Sequence, residues 1–308
     1  MSSTLRFSTL NLQNFAAPPL ASYEFDNIYS QAQWLQKTNW LRRVIQANSP
    51  DVLMLQEVFS VNELKQLLLE LGYDYFAVAG EPVLVDNHFY QQPVVALASR
   101  FPIKQQAALS PDPELLKALG LADFQFSRPP LWAEVMLPGV GACDFYTVHL
   151  KSRRALTAVT DSGGSEILSR FAASAQRAYE AALLLELISK QQKQSRRPVV
   201  LAGDFNDALS SDWLSHLTAP MPQLQLQDAW LLWQNAPAQR PASHYYGATG
   251  SVLDYCLLSA DFDHHNLNSL GTVTEVQITD SHLVRPDYQQ DAYSSDHAMV
   301  TVTVQLRE

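Results

Sequence analysis

Pro198-Val199-Val200-Leu201-Ala202-Gly203-Asp204-Phe205-Asn206 decides how this chain is read. A short apolar run bounded by turn-forming residues marks a buried strand, and Gly203 lets the backbone bend sharply where that strand ends. An acid, a ring and an amide follow at once, so polar side chains are delivered at the strand terminus. Ser295-Asp296-His297 mirrors this arrangement, standing just before the apolar run Ala298-Met299-Val300-Thr301-Val302-Thr303-Val304.

Outward from these two stretches, residues 5–12 read as a strand with Leu5, Phe7 and Thr9 on one face and Arg6 and Ser8 on the other. Ile28, Ala32, Leu35, Leu41, Val44 and Ile45 stand near helical spacing, with Pro50 just beyond. The run Val52-Leu53-Met54-Leu55 is the next strand. Ser60 and Glu63 have capping-box spacing ahead of the stripe Leu64, Leu67, Leu68 and Leu71, and Gly72 is placed to end that helix. Residues 73–79 and 94–99 are further strands, and 132–137 and 144–149 flank the turn Pro138-Gly139-Val140-Gly141. A long helix is expected over about 165–190, a short one near 212–217, and strands near 252–258, 272–278 and 299–306. Residues 101–130 and 152–164 read as long surface loops. Strands and helices are mixed without strict alternation, which favours packed mixed sheets covered by helices over a doubly wound sheet.

At 308 residues, 47% of them apolar, the chain supports a large core, and it is read as one domain over 1–308. It has no run of the roughly 18 to 20 apolar residues that a membrane span requires. The start, Met1-Ser2-Ser3-Thr4-Leu5-Arg6-Phe7, lacks a basic segment followed by a long apolar stretch, so no signal peptide is expected. Cys143 and Cys256 lie in apolar runs as expected buried free thiols. Both features point to the cytoplasm. The net charge of −10 argues against general duplex-DNA binding but leaves room for a local basic cleft.

Several polar residues sit where chemistry is conceivable. Glu57 ends an apolar strand and would emerge at a sheet edge, where a carboxylate can hold a hard cation such as Mg²⁺. Asn11 also ends a strand, as either a weak ligand or a turn former. His149 closes the alternating run Thr147-Val148-His149, with Lys151 beside it as a fixed positive charge and Arg153 and Arg154 extending a basic cluster unusual in so acidic a chain. Asp204 can take a proton from water while Asn206 orients the attacking oxygen or a phosphate; Asp207 is expected to cap the next turn. Asp254 falls inside the apolar run 252–258 and must find a partner if it faces the core; His297 suits it, because the pair would fix the imidazole tautomer and raise its proton affinity. Arg170 and Arg177 on the long helix are expected to be solvated or ion-paired. Asn87-His88-Phe89-Tyr90 and His244-Tyr245-Tyr246 fall in expected loops and offer rings on which bases could stack.

In their order, Asn11, Gln56-Glu57, His149, Gly203-Asp204-Phe205-Asn206, Asp254 and Ser295-Asp296-His297 resemble the endonuclease/exonuclease/phosphatase superfamily of DNase I-like metal-dependent phosphohydrolases. The resemblance spans nearly the whole chain. It implies an α/β fold, a four-layer α-β-β-α sandwich of two packed mixed β-sheets flanked by helices, with the site at one sheet edge. It implies Glu57 as the principal Mg²⁺ ligand (Mn²⁺ as a possible substitute), with Asn11 and Asp296 close to the metal. Asp204 and Asn206 would act on the water, His297 held by Asp254 would contact the scissile phosphate, and His149 would bind phosphate or assist the leaving oxygen. Lys151 would bind substrate, and Arg100, following the run 94–99 where many relatives carry Ser-Arg or Ser-Lys, would either reach the site to bind substrate or pair with an acid. The stretches around His149 and Asp254 resemble a bacterial nuclease-like group with secreted members. The chain departs from it in lacking an export signal and in carrying Ala298-Met299 where an Asp-Pro pair often follows.

The leading expectation is a Mg²⁺-dependent phosphodiesterase with a nucleic-acid substrate, either DNA or RNA. Hydrolysis of a small or lipid phosphate ester, as in sphingomyelinase-like or inositol-phosphatase-like relatives, is the alternative, and the acidic charge suits it; no amphipathic membrane-binding segment is evident, so no stable membrane association is expected. A non-catalytic binding module is the third reading, opposed by the full set of acids, amides and imidazoles.

Overall fold

The computed structural model describes residues 3–86, 88–221 and 224–307. Two six-stranded sheets form its centre. In spatial order the first holds Gly271–Thr279, Met299–Leu306, Thr4–Phe15, Val52–Val58, Val94–Ser99 and Tyr75–Val78; the second holds Leu226–Asp228, Asp254–Ser259, Val199–Asp204, Gly141–His149, Leu131–Leu137 and Ile103–Ala108. Both are mixed. Thr4–Phe15 runs parallel to Val52–Val58 and antiparallel to Met299–Leu306, so the two ends of the described chain share one sheet. Gly141–His149 runs parallel to Val199–Asp204, which is antiparallel to Asp254–Ser259.

Alternation along the strands separates three apolar layers. Leu5, Phe7 and Met54 of the first sheet meet Val135, Phe145 and Val200 of the second, with the Phe7 and Phe145 rings edge to face at 5.2 Å. The outward residues Leu10, Leu53 and Leu55 pack under helices Gln31–Asn48 and Val61–Glu70 through Trp40, Leu41 and Leu64. On the other side Tyr146, Val148 and Leu201 pack under the helix Glu166–Ser195 through Leu184 and Ile188. The result is the α-β-β-α sandwich. The hairpin at 138–141 forms with Gly141 opposite Leu137, and Gly72, at φ +85°, follows the helix Val61–Glu70. Cys143 and Cys256 are free and buried, and burial pushes both thiols up.

Several local expectations differ from the structure. Residues 101–130 are not one loop: Ile103–Ala108 is an edge strand and Pro113–Ala118 a helix begun by Asp112 and a first-turn proline. The edge strand is exposed for most of its length, so it carries no apolar alternation to read. Thr157–Asp161 is a short helix within 152–164, and the short helix expected near 212–217 is a 3₁₀ segment at Ser215–Thr218. Ser60 makes no capping bond; its hydroxyl accepts from the Ala17 N–H at 2.7 Å. His244–Tyr246 and Phe89–Gln92 are strands rather than loops, while Asn87 lies outside the described residues, as do Met1 and Ser2 at the start of the chain.

Gly203 is where backbone geometry admits no side chain. Its φ is +154°, and a Cβ there would stand 1.9 Å from the Val148 carbonyl oxygen on the neighbouring strand. Gly203→Ala must part the strands that carry His149 and Asp204. It is expected to destabilise the protein by at least about 3 kcal/mol in chemical denaturation; an unchanged midpoint would contradict this packing.

Candidate active site

Strand register sets the site. His149 pairs with Asp204, and Asp204 with Asp254, so three polar residues lie in one row across the second sheet. Asn11 pairs with Gln56 in the first sheet, and Met299, two residues after His297, opens its neighbouring strand. The strand ends of both sheets meet along one edge.

Asp204 is at the centre, 1% exposed. One carboxylate oxygen accepts from the Asn206 N–H at 2.8 Å; the other accepts from Asn11 Nδ2 at 3.1 Å. His149 Nε2 stands 3.5 Å and His297 Nε2 3.8 Å from that second oxygen. Burial raises the Asp204 pKa, with the His297 charge opposing it. His149 is lowered well below the ordinary imidazole range, first by burial and then by Arg128, so it is a neutral ring. His297 is the reverse: burial alone would lower it, but the Asp254 and Asp204 carboxylates lift it to about 10. The direct cause is a 2.8 Å bond between His297 Nδ1 and Asp254 Oδ2. That oxygen also accepts from Ser243 Oγ at 2.7 Å, and Ser243 Oγ in turn accepts the N–H groups of Leu253 and Asp254. Ser295 ties the loop down, donating to the Asn11 carbonyl at 2.6 Å and accepting the His297 N–H at 2.9 Å.

Glu57 and Asn206 adopt positive φ, +60° and +54°, as do Gln13 and Asn14 at +49° and +57°. Non-glycine residues held there are strained, and such strain clusters at functional sites. The turn at Gln13 and Asn14 folds over Glu57: Asn14 N–H donates to Glu57 Oε2 at 2.9 Å and Asn11 Nδ2 approaches Oε1 at 3.3 Å. Asp296 is half exposed, 3.9 Å from His297 Nε2 and 3.8 Å from His244 Nε2. It borders a pocket of about 330 Å³ with Asn14, Tyr29 and Tyr293. Under this pocket Lys37 is 2% exposed, its ammonium 3.4 Å from the Tyr293 carbonyl; burial lowers its pKa to about 8 against the pull of Glu57 and Asp296.

Oxygen donors for a hard cation are present. The Asn14 side-chain oxygen is buried with no partner, the Asn14 N–H is bonded to Glu57, and the residue lines the pocket with Asp296, so Asn14, Glu57 and Asp296 are oxygen donors that could hold a hard cation. Asn11 stands beside Glu57 and Asp204, its Nδ2 donating to them at 3.3 and 3.1 Å while its side-chain oxygen accepts the Gln13 N–H at 2.9 Å. Asp204, Asp254 and His297 also converge, but they hydrogen-bond and pair with one another, as a proton-holding group does.

Arg100 is not brought to this cluster. The strand Val94–Ser99 is antiparallel to Val52–Val58, with Ser99 opposite Val52, so Arg100 emerges at the end of the sheet away from Glu57. There it donates to the Pro50 carbonyl at 3.1 Å and covers the Tyr73 ring at 4.8 Å. Lys151 lies next to the site, its ammonium bonded to Ser152 and the Arg154 carbonyl, and burial together with Arg128 lowers its pKa to about 8. Asp207 does bond the Ala208 N–H, and it also pairs with Arg153 and the buried Arg177; Arg170 pairs with Glu166 on its own helix. Sequence reading missed Asn14, Ser243 and Arg128, and took His244 only as a stacking ring; none has a local signal, because each acts through contacts far along the chain.

The family model described as Endonuclease/Exonuclease/phosphatase family matches residues 9–297, and the chain belongs to that family of hydrolytic phosphoesterases. Its fold is that of the DNase I-like proteins. Among solved structures it is similar to a D. rerio TDP2 humanized by 14 mutations, with 14% identity over 99% of this chain and 100% of that one and a TM-score of 0.64. The human Nocturnin catalytic domain with bound sulfate shares 18% identity, with coverages of 99% and 95% and a TM-score of 0.63. A Bacteroides vulgatus endonuclease/exonuclease/phosphatase shares 16%, with coverages of 99% and 100% and a TM-score of 0.61. No curated protein sequence matches the chain closely enough to count as a relative.

The imidazole lends itself to a direct check. Because its folded pKa is raised above the ordinary 6.5, the stabilisation from the His297–Asp254 pair is full below that value and is lost as pH rises through about 10. His297 is expected to remain protonated at pH 8 in an NMR titration, and Asp254→Asn, which leaves burial opposed by Asp204 and Asp296 alone, to bring its midpoint down sharply. An unchanged midpoint would contradict the pairing.

Proposed function

We propose that this protein is a divalent-cation-dependent nuclease that hydrolyses phosphodiester bonds of DNA or RNA by direct attack of water, its whole length acting as one catalytic domain. One observation carries the reading: a buried carboxylate of raised proton affinity, Asp204, stands between a neutral and a cationic imidazole, beside an oxygen-only cation site.

Glu57 and Asp296, with Asn14, would hold Mg²⁺, for which Mn²⁺ could substitute. A cation there supplies Lewis-acid polarisation of a phosphoryl oxygen. The remaining roles belong to the side chains. Asp204 accepts the proton of the attacking water, because burial makes its carboxylate a better base than a solvated one. Asn206, fixed by its bond from Nδ2 to the Leu150 carbonyl at 3.0 Å, orients that water. Asn11 steers both carboxylates with one amide nitrogen. His297, held cationic by Asp254, faces the charge that gathers on the non-bridging oxygens, and His149, neutral, donates to phosphate or to the leaving oxygen. Lys151 supports the substrate from its loop. Two buried free thiols suit a reducing cytoplasm, and among the described residues no helix is long and apolar enough to cross a membrane.

Hydrolysis of a small or lipid phosphate ester is the second reading, favoured by the net charge of −10. A substrate panel separates the two: single- and double-stranded DNA, RNA, a nucleotide, inositol phosphates and sphingomyelin, each with Mg²⁺ and with chelator. Turnover is expected on nucleic acid and only with the cation; turnover restricted to inositol phosphates or lipid would overturn the nuclease reading. Asp204→Ala and His297→Ala should each lower kcat by a factor of at least about 10³ while leaving the thermal transition cooperative, on the scale of removing one positioned general base or charge stabiliser. Glu57→Gln should shift the Mg²⁺ titration to higher concentration; an unchanged titration would remove Glu57 from the cation site.

A further inference from the structure

Beside His149 is a group of cations of which the reaction described above uses only Lys151. Arg128 is half-buried, and its Nη1 donates to the Leu150 carbonyl at 3.3 Å. Among the described residues no carboxylate lies within ion-pair distance of it, nor of Lys151 or Arg154. Arg153, by contrast, is tied to Asp207 at 2.6 Å. Unpaired positive charge of this kind is unexpected in a chain of net charge −10, since a partly buried cation without an acid partner is costly.

The fold places these cations deliberately. Glu180, 1% exposed on the long helix, accepts the Ser127 N–H at 2.7 Å with one oxygen and the Lys151 N–H at 2.6 Å with the other. One buried carboxylate therefore staples the segment that carries Arg128 to the one that carries Lys151, and Arg177 adds a 2.9 Å bond to the Lys151 carbonyl. Glu180 uses its oxygens on backbone N–H groups, which leaves the guanidinium of Arg128 without a counter-ion. The third wall is Tyr23, in a turn at φ +64°, its phenol pushed up in pKa by burial and then by the Glu57 charge, with the charges of Arg128 and Arg154 opposing that rise. Its ring is locked edge-on to Phe59 at 5.3 Å. Two residues on, Phe25 leaves 59% of its surface exposed, with its ring edge on Phe89 at 5.3 Å.

We propose that Arg128, Arg154 and the Tyr23 hydroxyl form an anion subsite for the phosphate next to the scissile one in a nucleic-acid strand, with Phe25 stacking on the flanking base. The inference rests on the nuclease reading and deepens it. Arg128 is bonded to Leu150, the residue that follows His149, which sets the subsite beside the reacting phosphate. A guanidinium suits a phosphate because its planar fork donates two parallel hydrogen bonds. An enzyme for isolated phosphodiesters would have no use for it.

The test compares the dinucleotide dTpdT with the same molecule carrying a terminal phosphate on its 5′ or 3′ side, and with bis-(p-nitrophenyl) phosphate. The wild type should prefer one terminally phosphorylated dinucleotide over dTpdT in kcat/KM. Arg128→Gln should reduce that preference at least tenfold, chiefly through KM, and flatten its dependence on salt, because one fewer phosphate contact is made. Arg128→Lys, which keeps the charge but not the fork, should restore part of it, and Phe25→Ala should raise KM for longer strands. If Arg128→Gln keeps the wild-type preference, or slows all three substrates in equal proportion, the subsite is wrong. Cleavage of bis-(p-nitrophenyl) phosphate by a wild type that cleaves no nucleotide substrate would instead overturn the nuclease reading itself. Circular dichroism and a thermal transition identify any variant that has failed to fold; if Arg128→Gln is such a variant, the terminal-phosphate preference of Arg128→Lys decides the question, a preference below the wild type being expected and an unchanged one overturning the subsite.

Discussion

The Asp204 carboxylate, buried where the two sheets meet, is the constraint on which the site depends. It arrives on the second sheet and is bonded by Asn11 from the first, and it faces an imidazole on the loop that leads back into the first. A carboxylate at 1% exposure must be hydrogen-bonded and charge-compensated to be tolerated. Asn11, the Asn206 N–H and His297 meet that requirement together. Their arrangement fixes how the strand ends of one sheet lie against those of the other. Gly203 matters for the same reason, because the close approach of its strand to Val148 is what brings His149 level with Asp204.

Around this centre the protein separates proton holding from cation holding. Asp254, His297 and Ser243 form a buried chain whose partners are one another. Asp296 and Asn14 line a pocket, the buried Asn14 side-chain oxygen has no partner, and Glu57 is bonded to the Asn14 N–H. The long helix contributes from outside the sheets: Arg177 and Glu180 grip the loops after His149 and before Leu131, and Arg177 reaches Asp207 beyond Asn206. A helix that shares no strand with the site thus determines the loops that border it, which is where substrate choice resides in a fold with a common catalytic centre.

The layers were legible in the sequence because each strand of the core is a short apolar run and each covering helix carries a stripe. The edge strand Ile103–Ala108 was not, since an edge that faces water needs no apolar alternation. Asp204, His149 and His297 were legible as polar residues at strand ends and Asp254 as an acid within an apolar run, and the structure brings them together. Arg100 follows a strand in the same manner, but sequence does not give strand direction, and an antiparallel strand carries its last residue to the opposite end. For Asn11 the position was readable and the orientation was not: a single N–H from Gln13 decides which end of the amide faces the carboxylates. Asn14, Ser243 and Arg128 derive their significance from partners 43, 11 and 22 positions away, contacts that no local pattern encodes.

The central claim is that water, activated beside Asp204, attacks phosphorus in one step, with no side chain of the cluster serving as nucleophile. The stereochemistry at phosphorus tests it most directly. Hydrolysis of a dinucleotide phosphorothioate of single configuration in ¹⁸O-water should place one labelled oxygen on phosphorus with inversion of configuration. Retention would require a covalent intermediate on the protein and would contradict the account.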